Sequence, residues 1–340
     1  MERIQEFTVS KDKNGCFKTI YEALNSAKEV RLQDKQVLIK INILDGFYEE
    51  RIKVDISNLI IEGSDFKNCI ISNNYRALEI MDDGNIRGTF RTATLHLDGD
   101  NITLRNLTIE NSAGNGKDNG QCVALYSDGD NIKVENCILK ANQDTLFTAP
   151  LPQADKTGSN KGLGPQAIYP RKHCRQLYKD CSIIGNIDFI FGGATALFDN
   201  CSIFVIDDNK DRDTKGYIAA PCTTQDLEFG YLFYKCMISG DVDEKSVYLA
   251  RPWRIGAKAV FIDCNINPYI IKEEVFHDWN KEIAHSTSYF ALDSASDIFE
   301  NRVNWSHVLR EAEKKDYINN YFEYFNSAKP KDWIADIENI

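Results

Sequence analysis

Asp98-Gly99-Asp100-Asn101-Ile102-Thr103-Leu104-Arg105-Asn106-Leu107-Thr108-Ile109 returns 30 positions later as Asp128-Gly129-Asp130-Asn131-Ile132-Lys133-Val134-Glu135-Asn136-Cys137-Ile138-Leu139. Shorter stubs of the same kind flank the pair: Asn58-Leu59-Ile60-Ile61, Asn68-Cys69-Ile70-Ile71, Asn200-Cys201-Ser202-Ile203, Lys235-Cys236-Met237-Ile238 and Asp263-Cys264-Asn265-Ile266. Each reads as a strand of three to five residues behind a polar or turn residue, at an irregular spacing of 20 to 44 residues. Short strands at that period, with loops of variable length between them, describe an all-β solenoid whose coils bury their apolar faces only by stacking on one another. A β-sandwich is the runner-up, but it calls for hairpin turns at regular short spacing.

The ends differ from this middle. Ile20, Ala23, Leu24 and Ala27 fall at helical spacing, so residues 1–30 or so predict a cap with a short helix over the first coil. The tail from about 308 to 340 mixes charges with aromatic residues and reads as helix and loop packed back along the coil. No linker composition divides the chain, which points to a single domain over 1–340.

Composition narrows the function. A net charge of −11 argues against nucleic acid as partner, since a non-specific binder needs a basic face. No long apolar stretch predicts a membrane span, and the polar start Met1-Glu2-Arg3-Ile4-Gln5-Glu6 lacks the apolar region of a signal peptide, which predicts a cytoplasmic protein, or a secreted one if a leader has been removed. The 10 cysteines form no CxxC pair and no Cys/His cluster, so neither a metal nor a disulfide framework is expected. Six of them recur at the stubs and read as small buried side chains.

Chemistry enters with Gly185-Asn186-Ile187-Asp188-Phe189-Ile190-Phe191-Gly192, which sets one carboxylate inside an apolar, β-prone run. A carboxylate taken out of water is paired, hydrogen-bonded or employed. Asp188 lies 7 residues after Cys181, and Asp144, in Gln143-Asp144-Thr145-Leu146-Phe147, lies 7 residues after Cys137. If the two cysteines mark one station on successive coils, the acids stack about 4.8 Å apart. They should then titrate apart, one ionised and one protonated.

These residues, in this order, resemble the pectin methylesterases. The match runs from about Val9 to Leu309 through Phe17-Lys18-Thr19-Ile20, Asp45-Gly46-Phe47-Tyr48-Glu49-Glu50, Gln121-Cys122-Val123-Ala124-Leu125, Gln143 to Phe147, Gly185 to Gly192 and Leu249-Ala250-Arg251-Pro252-Trp253. Phe147 stands where the family often has Tyr, and Ala250 where it often has Gly. The resemblance implies a right-handed, single-stranded parallel β-helix and hydrolysis of methylated pectin or oligogalacturonide, without cofactor; a monomer is expected. It implies Asp188 as nucleophile, Asp144 as general acid/base, Gln121 and Gln143 at the oxyanion, Arg251 on the nucleophile, and Trp253, with Phe147 and Phe189, against the sugar. Arg251 is expected to lower the pKa of Asp188, and burial beside that charge to raise the pKa of Asp144.

Two rivals stay open: another β-helix enzyme that cuts the polysaccharide itself, and a solenoid that only binds carbohydrate. His277-Asp278-Trp279 reads as structural, and Gly114-Asn115-Gly116-Lys117 as a flexible turn. The turn-rich segment 149–169 reads as a loop overhanging the cleft that favours short oligosaccharides.

Overall fold

The computed structural model describes residues 3–154, 161–208, 212–294 and 300–327. Among these, the strands form three sheets of 11, 8 and 7 members, and every named strand pairs in parallel with its neighbours. One coil is Leu95–Leu97, Ile102–Arg105 and Thr108–Asn111, and the next is Leu125–Ser127, Ile132–Glu135 and Ile138–Lys140. Ile102 faces Ile132 and Thr108 faces Ile138, so the 30-residue repeat of the sequence is the register of the coils. Parallel pairing throughout rules out the sandwich. The fold is a right-handed parallel β-helix.

The turn residue ahead of most stubs has a physical job. Asn58, Asn101 and Asn131 have φ of 56–58°, and Asn106, Asn136, Asp180, Asn200 and Asp263 have φ of 50–55°. Side chains that tolerate this left-handed region are mainly Asn and Asp. Their amides also stack between coils: Asn101 Nδ2 donates to Asn58 Oδ1 at 3.0 Å, Asn131 Nδ2 to Asn101 Oδ1 at 2.9 Å, and Asn136 Nδ2 to Asn106 Oδ1 at 2.7 Å. The cysteine column follows directly. Cys181, Cys201, Cys236 and Cys264 each give the thiol to a carbonyl of the preceding coil at 3.2–3.3 Å, and all ten cysteines are free. Inside the coil, Tyr178, Phe198, Phe233 and Phe261 stack with centroids 4.5–5.0 Å apart and planes within 12°.

Both ends are capped. The helix Ile20–Gln33 starts at Thr19 in a capping box with Glu22 and buries Ile20, Ala23, Leu24 and Ala27, the four positions expected. Glu50 accepts hydrogen bonds from the free N–H groups of Ile20 and Tyr21, a favourable place for a carboxylate. The helix Glu311–Asn326 buries Tyr321 and Phe325 against Leu177, Leu197, Leu232 and Val260, on the face of the 11-stranded sheet turned away from the aromatic stack. Burial of Phe325 alone is worth roughly 1.5–3 kcal/mol. The tail beyond Ser327 lies outside the described residues. Among those described, no helix is long and apolar enough to cross a membrane.

Excursions concentrate around the 7-stranded sheet. Residues 74–94 and 112–124 enter it, and 149–154, 161–174 and 251–257 leave it. They turn the outer face of that sheet into the floor of a cleft.

Candidate active site

Asp144 and Asp188 face each other across one rung of the 7-stranded sheet. Leu146 pairs with Ile190, which puts Asp144 opposite Asp188, and the Asp144 N–H donates to the Ile187 carbonyl at 3.0 Å. The equal offset from Cys137 and Cys181 therefore reflects true register. Both acids have positive φ, 64° and 50°. At Asp188 the strand also carries one residue more than its neighbour Gly216–Pro221, between Ile187 opposite Tyr217 and Ile190 opposite Ala219. A bulge of this kind re-aims a side chain. It is anchored by glycines: a Cβ on Gly185 would stand 2.4 Å from Phe189 Cβ, and one on Gly192 would stand 1.9 Å from the Thr148 carbonyl oxygen.

Arg251 comes from two coils further on and grips Asp188 with both arms, Nε to Oδ1 at 2.7 Å and Nη2 to Oδ2 at 2.6 Å. Its guanidinium is itself sandwiched, 3.6 Å from the Tyr217 ring and 3.7 Å from the Trp279 ring. Cation–π contacts on both faces fix the plane of the fork. Trp279, expected to be structural, lines the cleft. Its backbone N–H donates to His277 Nδ1 at 2.8 Å, and burial pushes the His277 pKa down, so the neutral imidazole holds the chain at Trp279 in place.

Both acids are only 8% exposed. Burial pushes the Asp144 carboxyl well above the usual range, and the charge of Asp188 adds to the rise against smaller opposition from Arg251 and a hydrogen bond to Gln143. Burial raises Asp188 as well, against the hydrogen bonds and charge of Arg251. The expectation that Arg251 would bring Asp188 below its ordinary pKa is thus corrected: the ion pair offsets desolvation without overcoming it. Asp188 still ionises first, because Arg251 hydrogen-bonds Asp188 while no cation among the described residues hydrogen-bonds Asp144.

The cleft has a volume of about 540 Å³, and Gln121, Gln143, Asp144, Asp188, Arg251 and Trp253 all line it. Gln143 packs closely over Gly116, where a Cβ would come within 2.7 Å of its Oε1. That glycine opens a short helix, Gly116–Asn119, capped by Asn115, where a flexible turn was expected. Trp253 lies nearly parallel to Phe90, with centroids 6.4 Å apart, and meets Phe191 at 5.7 Å. Phe147 and Phe189 do not reach the cleft surface as expected of sugar contacts; both are 0% exposed. Phe90, arriving on the 74–94 excursion, covers Phe147 at 5.2 Å, and Phe189 packs over Gly185. Phe90 and Phe191 line the cleft in their place. Gly162 and Leu163 of the 149–174 excursion form one wall, while its residues 155–160 lie outside those described.

Lys281 also lines the cleft and donates to the carbonyls of Pro252 and Trp253 at 2.9 and 3.0 Å. Burial, then the neighbouring Arg254 and Arg251, push its pKa down to about 8. Neither Lys281 nor Phe90 carried a signal in the sequence, because each sits in an excursion outside the repeat. We expect Trp279→Ala to lower kcat/KM about tenfold and to move its acid limb to higher pH, since a looser Arg251 lets the Asp188 pKa rise further. A pH profile whose acid limb stays put would show that the sandwich has no such role.

A pectinesterase family model matches residues 6–156 and 165–325. The chain is 31% identical over 325 residues to the probable pectinesterase/pectinesterase inhibitor 36 of Arabidopsis thaliana, an alignment covering 91% of this chain and 56% of that protein. It spans about half the length of the curated relatives it matches. The carrot pectin methylesterase structure superposes with a TM-score of 0.71 at 25% identity, covering 89% of this chain and 87% of that one. A pectin methylesterase solved with a hexasaccharide superposes equally well, at 0.71 and 23% identity, covering 92% and 94%. Sequence and fold agree along the length of the coil: the chain belongs to the pectinesterase family.

Proposed function

We propose that the chain hydrolyses the methyl ester of methylated galacturonate in pectin or pectic oligosaccharides, releasing methanol. The observation that carries this reading is the acid pair, with Asp188 clamped by Arg251 and Asp144 one rung away with no cation paired to it among the described residues. An oxygen of the Asp188 carboxylate attacks the ester carbonyl carbon, and the carbonyl electron pair moves onto oxygen. Side-chain amides of Gln121 and Gln143 donate to that oxyanion. Collapse breaks the bond to the methoxy oxygen, which takes the Asp144 proton and leaves as methanol, with the acyl group held on Asp188 as an anhydride.

Acylation neutralises Asp188, and one cause of the raised Asp144 pKa vanishes with that charge. Asp144, now a carboxylate, takes a proton from water as its oxygen attacks the acyl carbon. The bond to Asp188 breaks, both acids return to their starting forms, and the product acid gives its proton to solvent. Positive charge on Arg251, Arg254 and Lys281 at the cleft suits a polyanionic galacturonan even though the chain as a whole is acidic.

The test is methylated pectin, with methanol, new reducing ends and unsaturated ends measured together. Methanol alone supports the esterase. Reducing ends without methanol would mean a glycosidase, which also uses two carboxylates; unsaturated ends would mean a lyase, and no product a binding solenoid. Gln121→Ala is expected to lower kcat by about 10²–10³ with little change in KM. An effect confined to KM would move Gln121 to ground-state binding.

The wall formed by Gly162 and Leu163 supports a preference for short oligosaccharides. Replacing 149–169 by a Gly/Ser turn should then improve kcat/KM on polymer relative to oligomer, and an unchanged ratio sinks the idea. The column of free cysteines supports action in a reducing compartment on imported fragments. Cell fractionation that recovers the protein only outside the cell overturns that placement.

A further inference from the structure

A second cluster of donors lies off the cleft. His96 is opposite Tyr126 in the 7-stranded sheet, and the same register brings Asp98 opposite Asp128, whose N–H donates to the Leu97 carbonyl at 2.8 Å. One donor atom from each of His96, Asp98 and Asp128 lies within 4.8 Å of the other two. An ion with bonds of about 2.0–2.2 Å spans up to about 4.4 Å between opposite ligand atoms, so the cluster needs to contract by only a few tenths of an ångström. None of the three lines the cleft.

An independent observation points to the same spot. Tyr126 is fully buried, yet its phenol O–H has no partner among the described residues. A hydroxyl left that way carries a full desolvation penalty unless something is bound there. Its ring centroid is 4.2 Å from that of His96, and the charges of Asp128 and Asp98 act on the phenol. Lys53 takes one oxygen of Asp98 at 2.6 Å, leaving that carboxylate its second oxygen, and Lys172 is directed to Asp100.

We propose that His96, Asp98 and Asp128, with the Tyr126 phenol, bind a first-row divalent cation of the zinc or manganese kind. One imidazole nitrogen among oxygen donors, with no thiolate, favours these over calcium or magnesium. Departing from the sequence, which showed no ligand cluster, this site is assembled by coil register. It also touches the cleft wall. Gln166, in the turn Pro165–Ile168, reaches His96 Nε2 at 3.5 Å, and the same excursion supplies Gly162 and Leu163 to the cleft. An ion here ties that excursion to the coil.

The experiment is calorimetric titration of chelator-treated full-length protein with Zn²⁺, Mn²⁺ and Ca²⁺, together with the absorption spectrum of the Co²⁺ form. Expected are one equivalent of Zn²⁺ or Mn²⁺, a raised melting temperature, slower proteolysis within 149–174, and a Co²⁺ spectrum without a thiolate charge-transfer band. Asp128→Asn should weaken binding by about 100-fold, whereas Asp144→Asn in the cleft should leave it intact. No binding by the wild type, equal affinity in Asp128→Asn, loss of binding in Asp144→Asn, or a thiolate band each overturns the site. If Asp128→Asn does not fold, Tyr126→Phe and the Co²⁺ spectrum of the wild type decide: unchanged affinity or a thiolate band counts against it. Binding without protection of 149–174 overturns the tie to the cleft wall.

Discussion

Asp188→Asn is expected to reduce methanol release by about 10⁴-fold or more while the coil and oligogalacturonide binding persist. The amide fills the same space, and its oxygen still accepts from Arg251, so the sandwich between Tyr217 and Trp279 stays closed. What is lost is the negative oxygen that attacks the ester. A second change goes with it. Without the charge of Asp188, one cause of the elevated Asp144 pKa is gone, so whatever turnover remains should lose its alkaline limb at lower pH than the wild type. The measurements are methanol release under single-turnover conditions, ligand affinity by calorimetry, and an intact mass that excludes reversion to Asp. Turnover above a tenth of wild type would remove Asp188 as the nucleophile.

Legibility of a site residue in the sequence depends on where it sits relative to the repeat. Asp144 and Asp188 were legible because nothing is inserted between each of them and its marker cysteine, so seven residues of sequence equal the same path along the coil. Arg251 and Trp253 followed from their motif. Phe90, Trp279 and Lys281 arrive on excursions whose length varies from coil to coil, and no period links them to the strands they cover. Asp98 and Asp128 head the two copies of the 30-residue repeat and are visible in the sequence. Their pairing with His96 emerges only once the repeat is extended backward into the preceding strand.

Two misreadings have physical causes too. Phe147 pairs in register with Phe191 and shares its face, but Phe90 comes from a distant excursion to cover it, which local alternation does not reveal. For Asp188, the partner was identified and the sign of the balance was not. A bidentate Arg at 2.6–2.7 Å is a strong lowering influence, yet the depth of the acid decides the direction, and depth is a property of the stacked coils.

Asp144→Asn should reduce kcat by about 10³ and at the same time make the protein more stable near neutral pH. The activity loss follows from the proton that methanol needs on leaving and the base that water needs on attack; rapid-mixing kinetics would show which step suffers more. The stability gain follows from linkage. Burial first, and Asp188 second, raise the Asp144 pKa above its unfolded value, so the folded chain holds a proton that the unfolded chain has released. The stability contribution of this group is fully present below the unfolded pKa of about 3.9 and is lost as pH rises through the folded value. Asn has no proton to lose. Melting curves of the two proteins should therefore draw apart as pH rises from 4 toward 8, the gap growing by at most about 1.4 kcal/mol per pH unit, and should close again at pH 4. A variant less stable than wild type at pH 7 to 8 would mean that Asp144 sits there as a satisfied carboxylate, and the proton donor for methanol would have to be sought elsewhere in the cleft.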